Sequence, residues 1–281
     1  MESLNHSGFR FCVVDGPLAP DYAGLYALYD RIFTLPDERE SDAGFRKAFS
    51  FNTDPELQQR YGAFAELWIA ARDEHGALVG GINFDLFHLP EAGCASLHVV
   101  YLFTDPLRRG EGIATALLDE AAAEARRRLS ERRLPSRPLY LFCEQNAPEL
   151  MTREAYARDL ADAGIDPCRR LIWWHRRGFR RLRMNYVQPP LDEGADPCRT
   201  MTLNLRFTKR SIASSIVAAH LRRFFYLSVL KNPSAPSPDV ERVLAALTPD
   251  LSVPLTGSLA YYRQLARRVA APDFEPQSQL Y

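Results

Sequence analysis

The run Leu97-His98-Val99-Val100-Tyr101-Leu102-Phe103-Thr104-Asp105-Pro106-Leu107-Arg108-Arg109-Gly110-Glu111-Gly112-Ile113-Ala114-Thr115-Ala116-Leu117-Leu118 changes periodicity half-way. As far as Thr104 it is rich in β-branched and aromatic residues and reads as the end of a strand over 95–104. From Ile113 the apolar residues Ile113, Leu117, Leu118, Ala121, Ala125 and Leu129 recur at helical spacing, with Asp119, Glu120, Glu124 and the arginines 126–128 between them. That pattern is a helix with one apolar stripe and a basic C-terminal end, where cations suit the helix dipole. Asp105-Pro106 stops the strand, because proline offers the ladder no donor and disfavours helix in the residue before it. What remains between the two elements is a short loop holding two glycines.

The first amides of a helix have no acceptor a turn earlier and sit at the positive end of its dipole, so they can bind a phosphate without a cationic side chain. Gly110 and Gly112 let the backbone approach such a group, Ala114 keeps the first turn small, and Arg109 can add charge-assisted bonds to a diphosphate. Glu111 must then turn to solvent. The loop is neither G-x-G-x-x-G nor G-x-x-x-x-G-K-[ST], which argues against dinucleotides and nucleoside triphosphates. A G-x-G alone is weak evidence; the strand, the proline stop, the arginine and the immediate helix give it weight.

Outward from this loop, 9–14 reads as a strand and 21–33 as a helix, followed by a polar, charge-rich region. Strands are expected over 65–71, 77–87 and 95–104, the first two joined by the turn residues Asp73-Glu74-His75-Gly76. A further strand is expected over 139–144, a helical insertion over 148–170, and a second helix over 171–177 ended by Gly178 in a left-handed cap. Strand candidates at 180–187 and 201–207 follow. Beyond Ser211 helices are expected over 211–230, 238–247 and 259–270, broken by the Pro- and Ser-rich linker 232–237. The domain expectation is 1–208 plus a helical extension, 209–281.

The 281 residues are 46% hydrophobic and 25% charged, with 35 basic and 35 acidic side chains. This is a globular composition without the net field that draws nucleic acid or anionic membrane. The first residues carry no apolar run behind a basic segment, and no later stretch has the apolar length of a membrane span, so a cytoplasmic protein is expected. Five cysteines, Cys12, Cys94, Cys143, Cys168 and Cys198, are odd in number and form no C-x-x-C pair. Reduced thiols are expected, with neither a disulfide framework nor a metal site.

The loop resembles the [QR]-x-x-G-x-[GA] hallmark of the GNAT superfamily of N-acetyltransferases, with Arg109, Gly112 and Ala114 at its fixed positions. Asn146 after the next strand and the Gly178-Phe179 pair extend the resemblance, and the order of elements agrees from about residue 9 to 207. It implies an α/β fold of the α+β type, with a mixed, mostly antiparallel sheet flanked by helices. It implies acetyl-CoA as acyl donor and no metal, in a cleft where the fourth and fifth strands splay apart. Leu102, Phe103 and Thr104 would then pair with pantetheine as an added strand, and Gly110, Glu111, Gly112, Ile113 and Ala114 would offer pyrophosphate amides. The acceptor is expected to be a primary amine of a small molecule. A protein lysine or N-terminal acetyltransferase and a noncatalytic acyl-CoA-binding sensor or assembly module are the alternatives.

An alkylamine has a pKa of ~10.4, so a base is worth seeking. His98 lies where similar enzymes carry a glutamate that acts through water; its other reading is a buried neutral core imidazole. Glu144 is the second candidate, against a role capping a turn or pairing with an arginine. Similar enzymes place a tyrosine acid four residues before the glycine of the G-F pair; here Trp174 stands there, and indole is only a donor. The run Trp173-Trp174-His175-Arg176-Arg177 has the make-up of a stacking surface for nucleic acid, but core packing and cations at a helix C-terminus explain it more simply. Arg222-Arg223-Phe224-Phe225-Tyr226, in the mildly basic tail, reads likewise as an amphipathic helix against the sheet or a second copy, which allows a homodimer through the C-terminal helices.

Overall fold

A computed structural model describes residues 8–35, 38–135, 138–190, 196–248, 251–271 and 274–276. Its compact units are Met1–Leu139 and Tyr140–Tyr281.

In the first unit, β1 (Arg10–Val14), β2 (Phe64–Arg72), β3 (Leu78–Leu89) and β4 (Cys94–Thr104) pair in that order, each antiparallel to the next. Helices α1 (Tyr22–Ile32), α2 (Asp42–Phe51) and α3 (Pro55–Tyr61) lie between β1 and β2 in sequence, and α4 (Ile113–Glu131) follows β4. The region read only as polar thus holds α2 and α3. Their start signals are side-chain caps: Ser41 accepts from the Gly44 amide, and Asp54 accepts from the Glu56 and Leu57 amides ahead of Pro55.

Helices cover both faces of this sheet, and two successive glycines of β3 show it. A Cβ on Gly80 would meet Ile113 of α4, and one on Gly81 would meet Leu25 of α1, as expected where neighbouring strand residues point to opposite faces. Under α1 and α2 lies an aromatic core containing Tyr22, Tyr29, Phe45, Trp68 and Phe103. Its tyrosines pin the α1–α2 connection. Tyr22 donates to Asp42 Oδ1 at 2.7 Å and Tyr101 donates to the Glu38 carbonyl at 3.1 Å, while the Tyr29 and Tyr26 hydroxyls accept from the amides of Glu40 and Asp42.

The second unit contains β5 (Leu139–Asn146), α5 (Arg153–Ala163), α6 (Pro167–Arg176), β6 (Phe179–Leu182) and β7 (Met201–Arg206). These are followed by β8 (Ser211–Ala213), α7 (Ser214–Arg223), α8 (Pro238–Ala245), β9 (Ser252–Thr256) and α9 (Leu259–Val269). β5 pairs with β7, β7 with β6, β6 with β9 and β9 with β8, all antiparallel. Gly178 holds the expected positive φ, 86°.

The segment expected to be wholly helical therefore supplies two strands as well. Ser211–Ala213 is strand rather than helix, and β9 lies in a stretch with no expected strand; it carries Pro254 in its middle, yet Val253 and Leu255 alternate into the core. The strand expected over 180–187 ends at Leu182. The helix from Ser214 passes into a buried π-helical turn, Phe224–Val229. The apolar face of α9 is covered within the chain, where Tyr262 and Leu265 pack on Cys168 and Leu171 of α6.

Candidate active site

Antiparallel pairing carries β4 to the loop: Gly80 lies opposite Thr104, Gly81 opposite Phe103 and Ile82 opposite Leu102. The Phe103 side chain is buried in the aromatic core, which leaves its backbone for any ligand; Leu102 and Thr104 are half-buried. The register slips between Asn83, opposite Tyr101, and Phe84, opposite Val99, so Val100 is the extra residue of a bulge that bends the strand.

After Thr104 the Asp105 amide donates to Val79 O at 2.9 Å, and the Asp105 carboxylate accepts from the Leu107 amide at 3.0 Å. These bonds fix a short 3₁₀ turn, Pro106–Arg108. Gly110 and Gly112 then adopt φ of 93° and 86°, and an added Cβ at either would find no atom within 4 Å. Glycine is thus required here by backbone conformation, and the space before the loop is open. Helical bonding to the Gly112 carbonyl starts at the amides of Thr115 and Ala116, both at 3.0 Å, and no side chain caps the helix. Gly110, Glu111 and Gly112 are exposed, Ile113 is buried and Ala114 half-buried. A cradle of amides with room for an anion is what a CoA diphosphate needs, so the residues fit that group. Glu111 does not hang free in solvent: Arg108 grips its carboxylate.

Below the bulge, Glu66 of β2, Asp85 of β3 and His98 of β4 lie opposite one another across three strands. All three are buried, and Asn83 donates to Glu66 Oε1 at 3.2 Å. His98 is 0% exposed, and burial depresses its imidazole to about 3, so it is neutral at physiological pH and a weak base.

In the second unit Glu144, on β5, accepts from the Tyr186 hydroxyl at Oε1 and from Gln188 Nε2 at Oε2, the latter at 2.8 Å. Gln188 is held by reciprocal backbone bonds with Cys198. Burial lifts the Glu144 carboxyl to about 7, against the lowering effect of these two hydrogen bonds. Asn146, at the end of β5, donates to Asp159 of the inserted helix α5 at 3.1 Å, and the same carboxylate oxygen accepts from Arg170 of α6 at 2.5 Å. Trp174 packs edge-on against Phe179 with ring centroids 4.8 Å apart, and the Arg177 guanidinium lies 3.5 Å from the Trp173 ring centre. The tryptophan–arginine run is engaged in packing within the unit.

Sequence reading missed Arg108, Asp73, Tyr186, Gln188 and Asp159. Tyr186 and Glu144 are 42 positions apart, and no local pattern links them. Among the described residues no group of histidine, cysteine and carboxylate side chains is arranged to hold a metal, and no helix is long and apolar enough to cross a membrane.

Residues 23–143 match the profile of the acetyltransferase (GNAT) family. Over that stretch the chain matches a GNAT acetyltransferase domain. The fold agrees with a protein of Bacteroides thetaiotaomicron assigned to the GNAT acetyltransferases, at TM-score 0.50 and 18% identity over 78% of this chain and 99% of that one. Weaker likenesses include Arabidopsis thaliana Naa50 in complex with a CoA–peptide bisubstrate analogue (TM-score 0.40, 14% identity, 70% of this chain and 99% of that one). Another is a spermidine N-acetyltransferase of Vibrio cholerae (TM-score 0.38, 12% identity, 71% and 92%). No curated protein matches the sequence at a significant level.

Proposed function

We propose that this protein is a GNAT acyltransferase that transfers an acetyl or other short acyl group from acyl-CoA to a primary amine of a small molecule. The observation that carries the donor half is the uncapped start of α4 behind Gly110 and Gly112, both at positive φ with open space before them. Amides from Gly110 to Ala114 would hold the diphosphate, with Arg109 adding charge, and the β4 backbone at Leu102, Phe103 and Thr104 would pair with the pantetheine arm. Asn146 is a further donor contact carried over from the family resemblance.

For the acceptor half, Glu144 is the stronger base. Its carboxyl titrates near neutrality, where a general base works best. In the reaction the amine nitrogen bonds to the acyl carbon, the carbon–sulfur bond breaks, CoA leaves as its thiolate, and Glu144 takes the proton the amine loses. His98 is then a neutral core imidazole. Trp174 cannot protonate the thiolate, whose parent thiol has a pKa of ~8.5, so that proton comes from solvent or is not needed for departure.

Thermal denaturation tests the donor half. CoA and acetyl-CoA should each raise the melting temperature, since a ligand at a hundredfold excess over Kd adds about 2.7 kcal/mol, and Gly112→Asp should abolish the shift. No shift in the wild-type protein at millimolar CoA would remove the donor assignment. Thiol release across polyamines, amino sugars, amino acids and peptides tests the acceptor. Turnover with peptides alone would favour a protein acetyltransferase, and binding without any turnover would favour a noncatalytic module.

A further inference from the structure

Glu111 places a negative charge between the two glycines of a loop read as an anion site, and Arg108 answers it. Arg108 Nε and Nη2 donate to the two carboxylate oxygens of Glu111 at 2.7 and 2.9 Å, and Nη1 donates to Asp73 Oδ2 at 2.8 Å. Asp73 belongs to the β2–β3 turn, where its Oδ1 accepts from the amides of His75 at 3.0 Å and Ala77 at 2.9 Å. The turn thus anchors Asp73, Asp73 anchors the guanidinium, and the guanidinium grips Glu111 with both prongs. Hydrogen bonding to Arg108 is the largest influence on both carboxyls and lowers each below its ordinary range, so both stay ionised at neutral pH. A two-pronged grip fixes direction as well as distance, which a lysine in the same place would not do.

We propose that Arg108 is a positioning residue of the donor site: anchored on Asp73, it holds the Glu111 carboxylate toward the β2–β3 turn and so keeps negative charge away from the diphosphate position at residues 110–114. The inference rests on the donor reading above. Arg108 contributes by restraining a neighbour and does not itself touch the ligand.

CoA titrations of the wild-type protein, Arg108→Ala, Glu111→Gln and the double variant test it. Arg108→Ala should weaken CoA about tenfold at low salt, the scale of a partly screened repulsion between like charges, and the loss should shrink as salt is added. Glu111→Gln should tighten CoA by a few-fold. The double variant should bind within about twofold of Glu111→Gln, because no charge is left to restrain. Melting of the unliganded proteins provides the control: any instability from losing Arg108 persists in the double variant, so recovered affinity cannot come from recovered folding. A double variant as weak as Arg108→Ala would overturn the proposal. So would a loss in Arg108→Ala that disappears with dephospho-CoA, since Arg108 would then contact the 3′-phosphate directly. Wild-type protein that fails to bind CoA at all is a different result, and it removes the donor reading itself.

Discussion

The Tyr186 hydroxyl donates a hydrogen bond to Glu144 Oε1 while Gln188 holds Oε2, so both oxygens of one half-buried carboxylate are engaged. Burial, and then the charge of Glu144, raises the Tyr186 hydroxyl well above its ordinary range. The tyrosine keeps its proton, and the carboxylate is the member of the pair that titrates. The ring of Phe225, in the π-helical turn, lies 6.0 Å from that of Tyr186, so the C-terminal extension backs the pair.

Glu144→Gln should lower kcat/KM by ~100-fold to 10,000-fold and remove the rise in activity through about pH 7 that the wild-type carboxyl gives. Stability should respond too. The Glu144 carboxyl loses its proton near 4.5 in an ordinary setting and near 7 when folded, so between those values the folded chain holds the extra proton and stability falls as pH rises. Urea midpoints across that window should fall less steeply in Glu144→Gln; parallel wild-type and variant curves would mean that the carboxyl is not buried in solution.

The imidazole of His98 has the opposite linkage. It is ordinarily protonated below 6.5 but, when folded, only below about 3, so stability is lost as pH falls through that range. His98→Gln should reduce this acid sensitivity and leave activity per folded molecule nearly unchanged. A hundredfold loss of kcat with unaltered stability would instead make His98 the base.

The fold was legible where periodicity and punctuation are local. Val99 to Ala121 announce strand, stop, loop and helix within one glance of sequence, and Gly178 announces a helix end. The caps Ser41 and Asp54 are equally local signals, in a stretch read only as polar and charge-rich. What could not be read depends on distant partners. Whether Glu111 faces solvent or Arg108 depends on how the Asp73 turn folds back, and the choice between His98 and Glu144 depends on which is sealed from water. β9 is hard to read locally because Pro254 offers the ladder no donor, and only the alternation of Val253 and Leu255 into a core reveals the strand.

Gly80 connects the sheet to the loop proposed to bind the donor. A Cβ there would come within 2.8 Å of the Phe103 carbonyl and 3.1 Å of Ile113, whereas at Gly81 it would strike the ends of the Leu25 and Phe103 side chains. Gly80→Ala and Gly81→Ala should each destabilise by about 1–3 kcal/mol through overpacking. Only Gly80→Ala pushes on the β4 backbone and the first residue of α4, so only it should also weaken CoA binding when the two are compared at equal folded fraction. Equal CoA affinities would show that the loop tolerates displacement of its supports.

The inserted helix α5 can be tested through Asp159, which is buried and bonds both Asn146 and Arg170. Asp159→Ala leaves the guanidinium without that carboxylate. The cost should fall below the ~3–5 kcal/mol of a fully buried pair, because the Arg170 side chain is 29% exposed. It also removes one bond that orients the Asn146 amide, so if Asn146 contacts the donor as proposed the KM for acetyl-CoA should rise while kcat changes little. Asn146→Ala should raise KM by the same factor, and combining the two changes should add nothing, since both would act through one amide. If Asp159→Ala lowers the melting temperature and leaves KM where it was, α5 braces the fold without orienting Asn146 toward the donor.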